Sequence, residues 1–145
     1  VARIKPFKAV SPPIDIRQVI KDDHTQILAL FQLYLGTPAD SRQAIVGQIL
    51  DRLTLHLKME EELLFQKIRK SGPESMRLVG DAEMEHEEVR AMIHELQQSE
   101  TDDDQAVDEF FEDMMQTVRT HFVTEERDLL PLAERPSNTL DTSPS

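Results

Sequence analysis

Two stretches of the chain place a carboxylate four residues after a histidine: His56-Leu57-Lys58-Met59-Glu60 and His121-Phe122-Val123-Thr124-Glu125. On a helix that offset puts both side chains on one face, one turn apart, so imidazole and carboxylate can converge on a single ion. His24 and His86 add two further imidazoles on segments of their own. Four imidazoles and two carboxylates make a donor set for a pair of metal ions, and these donor types suit iron, manganese or zinc.

Spacing alone is weak, because a chain rich in Glu meets such pairs by chance. The face these residues occupy is more telling. The first predicted helix starts at Asp15, with Asp15 and Gln18 as a capping-box-like pair, and stops at Gly36. Its apolar stripe runs Ile16, Val19 or Ile20, His24, Ile27, Phe31, Leu35. The second takes Thr37 as cap and Pro38 as first residue and continues to Lys70, with the stripe Ile45, Ile49, Leu53, His56, Glu60, Leu63, Lys67. The third opens at Pro73 and fades near Ser99, carrying Met76, Val79, Glu83, His86, Arg90 and Ile93 on one face. The fourth is capped by Thr101, with Asp102, Asp103 and Asp104 set against the positive end of the helix dipole. Its stripe is Val107, Phe110 or Phe111, Met114, Val118, His121, Glu125, Leu129, and Pro131 ends or kinks it.

Every long segment keeps three-and-four spacing and almost none alternates with period two, so the fold class is all-α. Short connections favour antiparallel neighbours, giving an up-down-up-down four-helix bundle over residues 15–133. Residues 1–14, with prolines at 6, 12 and 13, are expected to form an extended arm, and residues 134–145 a disordered tail. In such a bundle each of the four stripes is broken by a histidine. An unpaired carboxylate in the core costs several kcal/mol, so inward-facing Glu60 and Glu125 require compensating positive charge, which a metal pair supplies. Phe31, Leu28, Leu53, Met114, Val118 and Phe122 are expected to surround the ions with apolar groups. His94, rotated away from His86, is read as a surface residue or a support to a ligand.

Composition narrows the alternatives. A formal net charge of -12, from 28 acidic and 16 basic residues, argues against nucleic acid and anionic membrane surfaces as partners. With no Cys, thiolate catalysis, zinc fingers and cysteine-bound iron-sulfur clusters are excluded. No apolar run has the length of a membrane span, the first residues lack the apolar stretch of a secretory signal, and a cytoplasmic location is the default expectation. A zinc-protease helix would need His-Glu-x-x-His, but Arg90 stands where the second ligand of His86-Glu87 would fall. A ferritin-like di-iron site would need two Glu-x-x-His pairs, and the chain has Glu83-x-x-His86 alone.

The combination of Asp23-His24, His56 with Glu60 inside HLKMEEELLF, Glu85-His86-Glu87, and His121 with Glu125 inside HFVTEERDLLP resembles the hemerythrin-like, or HHE cation-binding, domain. The resemblance covers residues 15 to 132 and implies a non-haem di-iron centre. It implies that His24, His56, His86 and His121 are terminal ligands and that Glu60 and Glu125 bridge two iron ions, with an oxo or hydroxo group completing the bridge. The oxygen-carrying members have a further histidine where this chain has Arg90, so reversible dioxygen carriage is not implied; Glu83 is a candidate to fill that place. The function implied is binding, sensing or reaction with dioxygen, peroxide or nitric oxide, or iron handling. Two other readings stay open: a di-iron enzyme for peroxide or nitrosative-stress repair, and a metal-free helical interaction module. Oligomeric state is not legible.

Overall fold

Asp15 starts the first helix, its carboxylate accepting from the Arg17 backbone N–H at 3.1 Å. Gln18 does not complete the expected capping box; its amide donates to Asp22 at 2.9 Å instead. From there the computed structural model, which describes residues 15–99 and 104–133, is helical almost throughout. The elements are α1 (Ile16–Leu35), α2 (Gln43–Met59), α3 (Phe65–Arg69), α4 (Pro73–Gln98), α5 (Asp104–Thr124) and α6 (Leu130–Ala133). Two π turns, Glu60–Leu64 and Glu125–Leu129, join α2 to α3 and α5 to α6, so six segments make four rods. The rods pack as an antiparallel four-helix bundle, as the pattern predicts. The expected arm, the tail and the Thr101 cap lie outside the described residues.

Connections follow local chemistry. Gly36 caps α1, its N–H reaching the Gln32 carbonyl at 3.0 Å while the Thr37 N–H reaches that of Tyr34 at 3.2 Å. Thr37 does not cap the second rod: its hydroxyl donates back to the Leu33 carbonyl at 2.6 Å, a 3-10 turn at Ala39–Ser41 follows, and α2 starts only at Gln43. Gly72 adopts φ 128°, a conformation open to glycine, and so turns the chain into Pro73 at the start of α4.

Three stripes depart from expectation. In α1 the last inward residue is Tyr34, fully buried, while Leu35 is 41% exposed. Tyr34 can turn inward because its hydroxyl has a partner, donating to Asp108, which also accepts from Arg42 Nη1 at 2.9 Å. In the second rod, Leu64, Phe65 and Ile68 replace Leu63 and Lys67, because the π turn inserts one residue and rotates everything beyond it. In α4 the buried line is Ser75, Val79, Ala82, His86, Val89 and Ile93; Met76 is 55% exposed, and Glu83 and Arg90 sit at the edge. Pro131 does not stop the fourth rod, which runs on to Ala133, the π turn before it taking up the irregularity.

The core has two apolar halves. One gathers Ile27, Phe31, Tyr34, Ile49, Leu53, Val89, Phe111, Met114 and Val118; the other gathers Ile20, Leu64, Phe65, Ile68, Val79, Ala82, Leu129 and Leu130. In each rod the polar positions fall where one half gives way to the other. Truncating Phe111, fully buried with its ring centroid 4.4 Å from that of Tyr34, to alanine is expected to cost about 3–5 kcal/mol. Urea unfolding of the metal-free protein measures it, and metal content should not change, because Phe111 touches none of the polar layer.

Candidate metal centre

Between the two apolar halves lie six buried polar side chains, none more than 4% exposed: His24, His56, Glu60, His86, His121 and Glu125. All six positions singled out from the sequence are brought together. Their inward atoms form two overlapping groups, His24, His56, Glu60, Glu125 and Glu60, His86, His121, Glu125, the atoms of each within 4.8 Å of one another. Glu60 and Glu125 belong to both groups, and each turns a different oxygen to each.

Glu60 Oε2 is 3.2 Å from His24 Nε2 and 2.8 Å from His56 Nε2, whereas Glu60 Oε1 is 3.0 Å from His86 Nε2. Glu125 Oε1 is 2.9 Å from His24 Nε2, and Glu125 Oε2 is 3.2 Å from His121 Nε2. Closeness here is not hydrogen bonding throughout. His56 Nε2 and both Glu125 oxygens are buried without a hydrogen-bond partner, their angles being wrong for one. Buried polar atoms are rarely orphaned, and orphans gathered in one cluster of imidazoles and carboxylates mark a place for a cation. His86 Nε2 and His121 Nε2 face each other at 3.1 Å, which suits two lone pairs aimed at one ion.

The outer nitrogens are all held by acids. His24 Nδ1 donates to Glu126 at 2.7 Å, His56 Nδ1 to Asp23 at 2.6 Å, His86 Nδ1 to Glu61 at 2.8 Å and His121 Nδ1 to Glu85 at 2.6 Å. An ionised carboxylate can only accept, so each Nδ1 carries a proton, and Nε2 is the nitrogen that can turn a lone pair to a cation once any proton of its own is displaced. These four acids are functional positions that the motif residues alone do not single out. The available signal is adjacency: each sits one residue before His24 or His86, or one after Glu60 or Glu125.

The π turns have a local purpose. Each opens on a shared glutamate, Phe65 N–H reaching back to the Glu60 carbonyl and Leu130 N–H to the Glu125 carbonyl. That extra residue lets the rod bury Glu60 and still bury Leu64 and Phe65 beyond it. Phe122 stacks on the His24 ring at 3.8 Å between centroids, and Phe65 lies 4.9 Å from that of His86. Phe122 was among the expected apolar neighbours; Phe65 was not, because the uninterrupted stripe points it away.

Glu83 does not fill the place that Arg90 leaves. Its side chain, 46% exposed, pairs with Arg69, while Arg90 donates to Glu61 at 2.7 Å and Glu87 at 3.2 Å. His94 is exposed, as its rotation from His86 predicts.

Charge within the cluster is strongly coupled. Burial disfavours the His24 imidazolium, but Glu125 and Glu60 outweigh it and push its pKa up to about 10. Burial likewise opposes the charge on His121, and the same two carboxylates raise it to about 11. Burial would raise Glu60, yet Glu125, His121, His24 and His56 hold it well below the usual carboxylate range. Glu125 is raised, by burial first and then by the charge of Glu60. Without a metal, then, protons do the neutralising.

A helical bundle whose buried layer is a cluster of imidazoles and shared carboxylates belongs to the metal-binding bundle proteins. The sequence profile of the Hemerythrin HHE cation binding domain matches residues 15–133, and the chain belongs to that family. No curated protein and no solved structure matches the chain. Among the described residues no helix is long and apolar enough to cross a membrane.

Proposed function

We infer that the chain is a non-haem di-iron protein that binds, senses or reacts with a small oxidant or diatomic ligand, dioxygen, peroxide or nitric oxide. One observation carries this reading: Glu60 turns one oxygen to His24 and His56 and the other to His86, and Glu125 turns one oxygen to His24 and the other to His121. Two carboxylates divided in this way fit two adjacent cations of equal sign, whose repulsion the shared anions offset. On this reading His24 and His56 are terminal ligands of one iron, His86 and His121 of the other, and Glu60 and Glu125 bridge them. An iron pair held there would supply two electrons to a small molecule, one from each ferrous ion as it becomes ferric.

The remaining residues prepare the position. The four acids orient the imidazoles, and Phe122 and Phe65 keep water from the nitrogens they cover. Each group of residues would offer an ion two imidazoles and two carboxylate oxygens, a set that would leave room for an exogenous ligand. A groove of about 420 Å³ between α1 and α5, lined by Leu28, Ala29, Phe122 and Val123 with Arg119 and Glu126 at its polar margin, lies directly against the His24 side. Its apolar walls suit an uncharged diatomic better than an anion.

Reconstitution with ferrous iron under argon, followed by removal of loose metal, tests the reading. The expected result is two irons per chain and a spectral change on exposure to dioxygen or nitric oxide. A change that is stoichiometric and reversible identifies a carrier or sensor; continued consumption of hydrogen peroxide identifies an enzyme. No more than trace iron would overturn the proposal.

A further inference from the structure

The two halves of the polar layer repeat one another. Asp23-His24 corresponds to Glu85-His86, and His56-x-x-x-Glu60-Glu61 corresponds to His121-x-x-x-Glu125-Glu126. Under that exchange the hydrogen bond from His24 to Glu126 becomes the one from His86 to Glu61, 2.7 and 2.8 Å. The bond from His56 to Asp23 becomes the one from His121 to Glu85, both 2.6 Å. Part of the inner layer follows suit, His24 to Glu125 at 2.9 Å answering His86 to Glu60 at 3.0 Å with the ring centroids of the imidazole pairs 4.8 and 4.9 Å apart, whereas Glu60 stands also 3.2 Å from His24 and His86 Nε2 faces His121 Nε2 at 3.1 Å.

The outermost layer departs from the repeat, since its arginines fall on Asp23 and Glu61, which do not correspond under the exchange. Arg52 Nε donates to Asp23 at 3.0 Å, and Arg90 Nη2 donates to Glu61 at 2.7 Å. Each half therefore has one imidazole held by an arginine-tethered acid, His56 in the first and His86 in the second. The other imidazole of each half, His24 or His121, is held by Glu126 or Glu85, which are 39% and 43% exposed. Arg90 belongs to this balance, restraining the acid behind His86. Each half also has an aromatic neighbour, Phe122 stacked on His24 at 3.8 Å and Phe65 tilted beside His86 at 4.9 Å.

We propose that this internal two-fold repeat gives the chain two chemically equivalent metal positions, with Asp23, Glu61, Glu85 and Glu126 as the positioning residues that make them so. This rests on the di-iron reading above. Hydrogen bonding at Nδ1 sets the basicity of Nε2, so a carboxylate behind every imidazole would give the two ions like donors. An exogenous ligand then meets two equally open ions, not one distinguished ion beside a closed one.

Mössbauer spectroscopy of protein loaded with iron-57 tests equivalence without reference to activity. The expected spectrum of the ligand-free diferrous protein is a single quadrupole doublet at two irons per chain. Glu61→Gln keeps an acceptor for His86 but removes the charge on one side, so the doublet should split into two of equal area. Glu126→Gln, acting through His24 on the other ion, should do the same. The double variant Glu61→Gln/Glu126→Gln should return one doublet. Two doublets of equal area in the unaltered protein would overturn equivalence and leave the di-iron reading standing. Failure to bind two irons would overturn both, and single variants that leave one unsplit doublet would remove the positioning role from Glu61 and Glu126.

Discussion

Glu60→Ala is expected to empty both metal positions at once, reducing two bound irons per chain to a trace. The carboxylate is shared: Oε2 faces His24 and His56, and Oε1 faces His86, so one substitution removes a donor oxygen from each ion. It also removes an anion from between two cations, leaving Glu125 alone to offset their repulsion. Altering an outer hydrogen-bond partner of a metal ligand weakens affinity ~10–100-fold, and loss of a shared ligand should exceed the upper end of that range. The stability that metal lends goes with it, on the order of 4 kcal/mol for each site at free metal a thousand times the dissociation constant. Iron content after gel filtration and thermal midpoints with and without chelator read the two effects, with far-UV circular dichroism confirming that the helices persist. Retention of two ions, or a chelator-dependent midpoint unchanged from that of the unaltered protein, would remove Glu60 from the centre.

Glu60 also marks the limit of what the sequence reveals. Its place in the polar layer follows from helical periodicity, as do those of His24, His56, His86, His121 and Glu125, because up to those residues each rod is an ordinary α-helix. Beyond Glu60 and Glu125 the same periodicity misleads. The π turns add a residue, so Leu63, expected inside, is 48% exposed and Leu64 is buried. Nothing in Leu63-Leu64-Phe65 distinguishes the two phases, since either places an apolar residue inward. In α4 the error has another source: Glu83 and Arg90 lie on a helical line with His86, but the core lies on its other side, along Ala82 and Val89. Long polar side chains at the border of a buried face are free to reach sideways, Glu83 to Arg69 and Arg90 to Glu61. The acids behind the imidazoles were hidden because they come from neighbouring rods, Glu126 for His24 and Glu61 for His86, and pairing between rods leaves no periodic trace.

Stability should fall as pH rises without metal and stay level with it. In the metal-free protein the carboxylates stabilise the protonated imidazoles of His24 and His121, whose folded-state pKa values of about 10 and about 11 lie above the ordinary 6.5. A group whose pKa is raised on folding contributes stability that is complete below its unfolded value and is lost as pH rises through the folded one. Metal-free protein should therefore weaken steadily from about pH 6.5 upward, by roughly 1 kcal/mol for each pH unit and each proton retained. Glu60 acts at the other extreme: its depressed pKa gives stability above the ordinary carboxylate range that is lost in acid. Metal should abolish the alkaline limb, since an ion on Nε2 would displace the proton that the carboxylates otherwise hold there. Binding then releases protons, and the stability gained from metal grows as pH rises. Zinc, which is redox-inert, makes the comparison clean: urea unfolding at several pH values from 6 to 9, with zinc and with chelator, should give a gap that widens with pH. A gap that stayed constant would mean that the metal does not compete with protons on His24 and His121, and would place it elsewhere on the protein.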